Sequence, residues 1–106
     1  ESFGRVAMEA AMNGIPVISS NHGGLIEATP AKSIRITFPK QLHTAPYTGL
    51  PSTALCRHMT KEILTLMDDA NYYKAQHRAA LEHGKKNTIN KSAQRLMKTL
   101  DKLRAQ

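Results

Sequence analysis

The segment from residue 5 to residue 18 most constrains the fold. A helix-forming run ends within this segment, and an extended run follows it. Residues 5–13 are mostly good helix formers, and Asn13-Gly14 supplies the terminator that a helix end favours. Pro16 then blocks further helix, and the β-branched pair Val17-Ile18 suits a buried parallel strand. The segment therefore predicts a helix, a tight turn and a strand in that order.

The next part of the chain predicts a second strand and a long loop. The Gly-Gly pair at residues 23–24 indicates a turn, and residues 25–28 favour a short helix. Residues 34–38 alternate and are rich in β-branched side chains, so they predict a strand that Pro39 ends. The prolines, glycine and polar residues of 40–52 are typical of a loop.

The remainder of the chain predicts helices. Ser52 or Thr53 is expected to cap the first of them, and a second is expected over residues 71–83, with Gly84 as its terminator. Asn90 is the expected cap of the last helix. Its apolar stripe consists of Ala93, Leu96, Met97, Leu100 and Leu103. Together the elements predict the second half of a doubly wound α/β domain without its earlier strands.

The positive charge is concentrated at the end of the chain. Residues 1–70 carry six basic and six acidic groups, whereas residues 71–106 carry nine basic and two acidic groups, which accounts for the whole net charge of +7. A basic helical tail can attract anionic lipid headgroups or nucleic acid, or it can be a solvated surface. The absence of interleaved aromatic residues disfavours nucleic acid. The single cysteine, Cys56, cannot close an internal disulfide.

Carboxylates and glycines form an ordered pattern at the start of the chain. Glu1 and Glu9 have seven residues between them, and Phe3-Gly4 stands just before the first predicted helix. Gly24 and Glu27 then follow the predicted strand. This order resembles the donor-sugar site of GT-B glycosyltransferases, specifically family 4 of the retaining enzymes. The resemblance covers residues 1–27, about a quarter of the chain.

The resemblance implies an α/β fold class, namely the C-terminal part of a Rossmann-like (GT-B) domain with a truncated parallel sheet and terminal helices. Residues 1–106 would then be the C-terminal portion of a donor-binding domain. The donor-site helix and strands would lie in residues 1–52 and the terminal helices in residues 53–106. Such a chain is expected to be part of a larger enzyme, whose diphosphate-binding Arg and Lys precede Glu1, and to be inactive alone.

The implied activity is transfer of a hexose from a nucleoside diphosphate sugar to a hydroxyl acceptor, with retention and without a metal or organic cofactor. Glu1 is implied as the catalytic residue, facing the donor sugar. Phe3, Gly4 and Arg5 are implied to meet sugar or phosphate oxygens, and Glu9 the ribose. The acceptor would be a sugar, a lipid-linked molecule or a polysaccharide.

The spacing of the two carboxylates is compatible with an elongated ligand. If the whole segment were helical, Glu1 and Glu9 would be at most about 12 Å apart along the axis and rotated by about 80°. A hydrolytic pair must instead flank one bond at about 5–9.5 Å. Taken singly, Glu1 is also typical of a first-turn carboxylate that favours the helix dipole, and Glu9 of an exposed helix residue, which is the commoner fate of a glutamate. The histidines have scattered spacings that do not predict a metal site, and only His22 lies near the expected crevice.

Two other functions remain open at the level of sequence. One is a non-catalytic binding module whose basic helical tail docks on anionic membrane or nucleic acid. The other is a sugar phosphorylase or non-Leloir relative that uses phosphate as its partner. The glycosyltransferase interpretation expects a cytoplasmic protein, with peripheral contact to the anionic inner face of the membrane and no nucleic-acid partner.

Overall fold

The computed structural model describes residues 4–106, and helices dominate this range. The elements in chain order are α1 (Arg5–Met12), β1 (Ile18–Ser20), α2 (Leu25–Ala28), β2 (Ile34–Ile36), a 3-10 turn (Lys40–Leu42), α3 (Thr53–Asp68), α4 (Ala70–Lys86) and α5 (Ile89–Arg104). The order of helices and strands predicted from the sequence is present, with the 3-10 turn added inside the predicted loop.

The prediction of an α/β, Rossmann-like domain is wrong. Within residues 4–106 the sheet has two parallel strands of three residues each, whereas α3, α4 and α5 have 16, 17 and 16 residues. Pro16 before β1 and the glycine-rich turn after it confine that strand, and Pro39 limits β2. The described chain is therefore a small domain dominated by helices.

The short sheet nevertheless carries much of the core. Ile18 pairs with Ile34, and Asn21 N donates a hydrogen bond of 3.0 Å to Ile36 O, which extends the ladder by one residue. Ile36 is 1% exposed and is the largest fully buried side chain among the described residues. Because the strands are parallel, their carboxyl ends lie at the same edge of the sheet.

Helix α4 does not end where the sequence predicts, because Gly84 lies inside it. A Cβ atom on Gly84 would lie 2.7 Å from Met12 Cα and 3.1 Å from Ala11 O. The glycine therefore allows α4 to pack closely against the end of α1. A second tie joins α4 to the turn that follows α1, since His77 Nδ1 donates a hydrogen bond of 2.6 Å to Gly14 O.

The predicted N-cap is correct for α3 and wrong for α5. Ser52 Oγ accepts from Leu55 N at 3.1 Å and caps α3, as predicted. Thr88 caps α5, with its Oγ1 accepting from Lys91 N at 3.3 Å, so the prediction of Asn90 as the cap is wrong. A threonine hydroxyl is among the favoured N-cap acceptors, although it ranks below asparagine.

Helix α5 lies exposed along its whole length. Every residue of 89–106 is exposed, including Leu96 and Leu103, which retain 59% and 60% of their accessible surface. The predicted apolar stripe is therefore present on the helix, but it faces solvent rather than a core.

Candidate functional site

The first turn of α1 packs directly on α2. Gly4 has φ +90°, in the left-handed region that side-chain-bearing residues rarely adopt. A Cβ at this position would lie 2.5 Å from Leu25 Cδ2 and 3.5 Å from Ala28 Cβ. The backbone conformation thus favours glycine at this position, whereas the end of the Leu25 side chain would have to turn aside for a Cβ. The start of α1 is thereby held beside the glycine-rich turn that leads from β1 into α2.

The loops that follow the two strands meet at the carboxyl edge of the sheet. The imidazole rings of His22, after β1, and His43, after β2, stack with centroids 4.1 Å apart and an interplanar angle of 25°. His43 Nε2 also donates a hydrogen bond of 2.9 Å to Phe38 O. Gly23 in the first loop has φ +62°. This edge therefore combines one glycine turn, the start of α1 and a pair of imidazoles.

Helix α1 presents Arg5 and Glu9 on one exposed face. The two residues are four positions apart, so their side chains emerge from neighbouring points of the same helix surface. Ala7, Met8 and Ala11 occupy the opposite, buried face. The predicted contacts of Glu1 and Phe3 lie outside the described residues, so the predicted pairing of Glu1 with Glu9 around one ligand stays a prediction.

Arg35 on β2 fixes the end of α2 in a way that the sequence does not reveal. Its Nη2 donates to Ile26 O at 2.9 Å and to Thr29 O and Pro30 O at 3.2 Å. A guanidinium at the carboxyl end of a helix satisfies carbonyls that have no partner within the helix and stabilises the helix dipole. Arg35 therefore orients α2, and with it the preceding Gly23-Gly24 turn.

Two cavities lie away from this edge. The larger, about 870 Å³, runs along one face of α3 to the start of α4 and is lined by Thr53, Cys56, Arg57, Thr60, Lys61, Leu64, Thr65, Asp68, Asp69, Ala70 and Asn71. The second, about 500 Å³, lies between the loop after α2 and the second half of α4. Neither is lined by Arg5 or Glu9, so the described cavities do not coincide with the predicted ribose contact.

A pKa shift marks the contact between α3 and α4. Burial, together with a hydrogen bond of 3.1 Å to Glu62 Oε2, raises the pKa of the Tyr72 hydroxyl above its usual value of 10.0. This keeps the phenol protonated as the donor of that bond. Among residues 4–106, no group of three or more His, Cys, Asp or Glu side chains is arranged to hold a metal ion.

Comparison of the chain with protein-family models, curated proteins and solved structures gave no significant match. The resemblance to a glycosyltransferase donor site therefore depends on the sequence pattern itself. None of the described helices is long and apolar enough to cross a bilayer.

Proposed function

We propose that this chain is the donor-binding part of a retaining glycosyltransferase that transfers a hexose from a nucleoside diphosphate sugar to a hydroxyl acceptor. The observation that carries the proposal is the position of Gly4. This residue immediately precedes α1, has a left-handed backbone conformation and packs on Leu25 beside the turn after β1. A helix N-terminus next to a glycine turn favours the phosphate oxygens of such a donor.

Glu9 is the proposed ribose ligand. It lies about 7.5 Å from Gly4 along the α1 axis, at about 1.5 Å for each of five residues. The ribose of a nucleoside diphosphate is joined directly to its phosphates, so phosphates at Gly4 bring the ribose hydroxyls within reach of this carboxylate. Arg5, on the same exposed face, would then lie beside the diphosphate and offset its charge.

The proposed chemistry depends on positioning and on stabilising the departing diphosphate, rather than on a cofactor. Glu1 would face the transferred sugar as the catalytic residue, with Phe3 contributing backbone contacts to sugar or phosphate. The proposed acceptor is a sugar, a lipid-linked molecule or a polysaccharide. The proposed location is cytoplasmic, where nucleotide sugars are available.

We expect Glu9→Gln to weaken the binding of a nucleotide sugar about tenfold, because a charge-assisted hydrogen bond to the ribose becomes a neutral one. The measurement is a titration of the isotopically labelled chain with UDP-glucose and GDP-mannose, followed by two-dimensional amide NMR. The amides of residues 4–9 and 21–25 should shift in the unsubstituted protein.

Asp101→Asn is the control for this test, because it removes a carboxylate from exposed α5, far along the chain from α1. It should leave the affinity unchanged. Saturable binding that is equally weakened by both substitutions, or shifts confined to α3 to α5, would contradict the proposed donor site.

A second candidate function, docking on an anionic membrane, is favoured by α5. On a helix with about 100° per residue, its apolar side chains occupy an arc of about 120°. Lys91, Lys98 and Lys102 lie on the opposite arc. An exposed helix with an apolar face and a basic face is typical of segments that lie in the membrane interface.

The charge of α5 favours an anionic bilayer over a second copy of the chain. The helix carries five basic residues and Asp101, a net charge of +4, so pairing two copies would bring like charges together. Its 16 residues also span little more than two heptads, fewer than the three to four that a coiled coil usually needs. Phosphatidylserine headgroups would offset the charge while the acyl boundary covers the apolar stripe.

We expect the double substitution Lys98→Gln with Lys102→Gln to weaken partitioning into vesicles about 30-fold, since each basic residue near an anionic surface contributes about 1 kcal/mol. The measurement is co-sedimentation with vesicles of phosphatidylcholine, with and without phosphatidylserine. Binding should require phosphatidylserine and fall as salt is added.

A second pair of substitutions tests the apolar face of α5. Leu100→Ser should weaken partitioning, whereas Gln94→Ser, on the polar arc of the same helix, should not. Vesicle binding that the lysine substitutions weaken but Leu100→Ser does not would indicate general electrostatic attraction and contradict interfacial insertion. A concentration-dependent dimer in sedimentation equilibrium that Leu100→Ser abolishes would show that a second copy covers the stripe instead.

A further inference from the structure

The cavity of about 500 Å³ lies at the amino edge of the sheet, opposite the proposed donor site. One wall is the segment 30–32, which leads into β2, and the other is the face of α4 that carries Ala75, Arg78, Ala79, Glu82, His83 and Lys86. Gln76 Nε2 donates a hydrogen bond of 2.9 Å to Lys32 O and ties the two walls together. The cavity is therefore formed by two elements that a hydrogen bond holds together.

The charged side chains that line this cavity are mostly cationic. Lys32 comes from the loop, and Arg78 and Lys86 come from α4, whereas Glu82 supplies the one carboxylate in the lining. Three cations that converge on a concave surface focus a positive potential there. The planar guanidinium of an arginine can also bind a phosphate through two parallel hydrogen bonds.

A second observation points to a ligand at the same place. The Nε2 atom of His83 is buried and has no hydrogen-bond partner in the described structure. Buried polar atoms are nearly always satisfied, so an unpaired imidazole nitrogen on a residue that lines a cavity needs an explanation. An oxygen that enters between the flexible side chains of Arg78 and Lys86 would supply the missing partner. This need is independent of the cationic lining.

We propose that this cavity binds a phosphorylated small molecule at a site separate from the donor site. Its volume of about 500 Å³ falls in the range of about 300–1,000 Å³ that is usual for small-molecule sites. Arg78, Lys86 and Lys32 would contact the phosphate oxygens, and Glu82 would face an uncharged, hydroxyl-bearing part of the molecule. The site does not depend on the glycosyltransferase activity.

The test compares two neighbouring lysines in the last turn of α4. Lys86 lines the cavity, whereas Lys85 does not, although both are exposed and equal in charge. With inorganic pyrophosphate and glucose 6-phosphate as separate probes, Lys86→Gln should weaken binding about tenfold, whereas Lys85→Gln should change it less than about twofold. Calorimetry gives the affinities, and amide NMR gives the location of the shifts.

Two further variants sharpen the outcome. Glu82→Gln should tighten the binding of pyrophosphate, because it removes the opposing charge from the lining, whereas Glu9→Gln should leave shifts at residues 30–32 and 75–86 unchanged. Tighter binding of glucose 6-phosphate than of pyrophosphate would support an organic phosphate as the ligand. Tighter binding of pyrophosphate would show that the cavity selects an inorganic anion and would overturn the assignment of a phosphorylated small molecule. Equal weakening by both lysine substitutions would show diffuse attraction to the basic tail and overturn the proposal, as would the absence of shifts at the cavity.

Discussion

Replacing Gly84 with alanine is expected to destabilise the protein by about 2–3 kcal/mol, although alanine is the better helix former by about 1 kcal/mol. The new Cβ would lie 2.7 Å from Met12 Cα and 3.1 Å from Ala11 O. Backbone atoms cannot rotate aside as the end of a side chain can, so α1 and α4 must separate. Urea denaturation followed by far-ultraviolet circular dichroism measures the loss.

Gly49→Ala is the matched control for this substitution. Gly49 has φ +84°, but a Cβ there would meet nothing within 4 Å. Its replacement should therefore cost only the conformational penalty of about 1 kcal/mol. A Gly84→Ala protein that unfolds at a higher urea concentration than the unsubstituted one would show that α1 does not approach α4 so closely.

Ile36→Ala is expected to cost about 3 kcal/mol of unfolding free energy, because it leaves a cavity in the best-buried part of the core. Ile36 is 1% exposed, at the end of a strand only three residues long. The control is Ile26→Ala on α2, where the same side chain is 45% exposed and its truncation should cost about 1 kcal/mol or less. Thermal unfolding by calorimetry compares the two.

Equal destabilisation by both isoleucine variants would contradict the assignment of the sheet as the centre of the core. That result would imply that the helices alone hold the structure, with the two strands as a surface feature. The predicted difference between the variants follows from burial alone, since the atoms removed are the same.

Local signals in the sequence predict the elements well. The short helix over residues 25–28 has the predicted bounds, and Ser52 caps α3 as expected. Asn13-Gly14 ends α1 because both residues suit a helix terminus. These features depend on interactions within a few residues of one another, which a sequence pattern records.

Features set by tertiary contacts could not be predicted in the same way. Gly84 looks like a terminator in sequence, but its role is to admit a distant helix. The α/β prediction is wrong because the sheet is small. The length of a strand depends on the strands that flank it, and a local sequence pattern does not record them. The stacking of His22 on His43 and the clamp of Arg35 on α2 join residues whose proximity no local pattern encodes.

Gly4 packs on Leu25 at the start of α1, whereas its predicted contact with sugar or phosphate oxygens stays a prediction. The pairing of Glu9 with a ligand is not reflected in any described cavity, since Glu9 lies exposed on α1. The cationic cavity was missed because its members come from a loop and from α4. Their only sequence signal is the excess of basic residues after residue 70.

The hydrogen bond between Gly14 and His77 closes a loop of 63 residues. Contacts between positions so far apart in the chain are costly in entropy to form and slow to find. As the polypeptide leaves the ribosome, α1 and both strands emerge well before α4, and their apolar faces stay uncovered until it arrives. The timing of synthesis therefore sets a period during which the nascent chain depends on chaperones or on rapid completion to avoid aggregation.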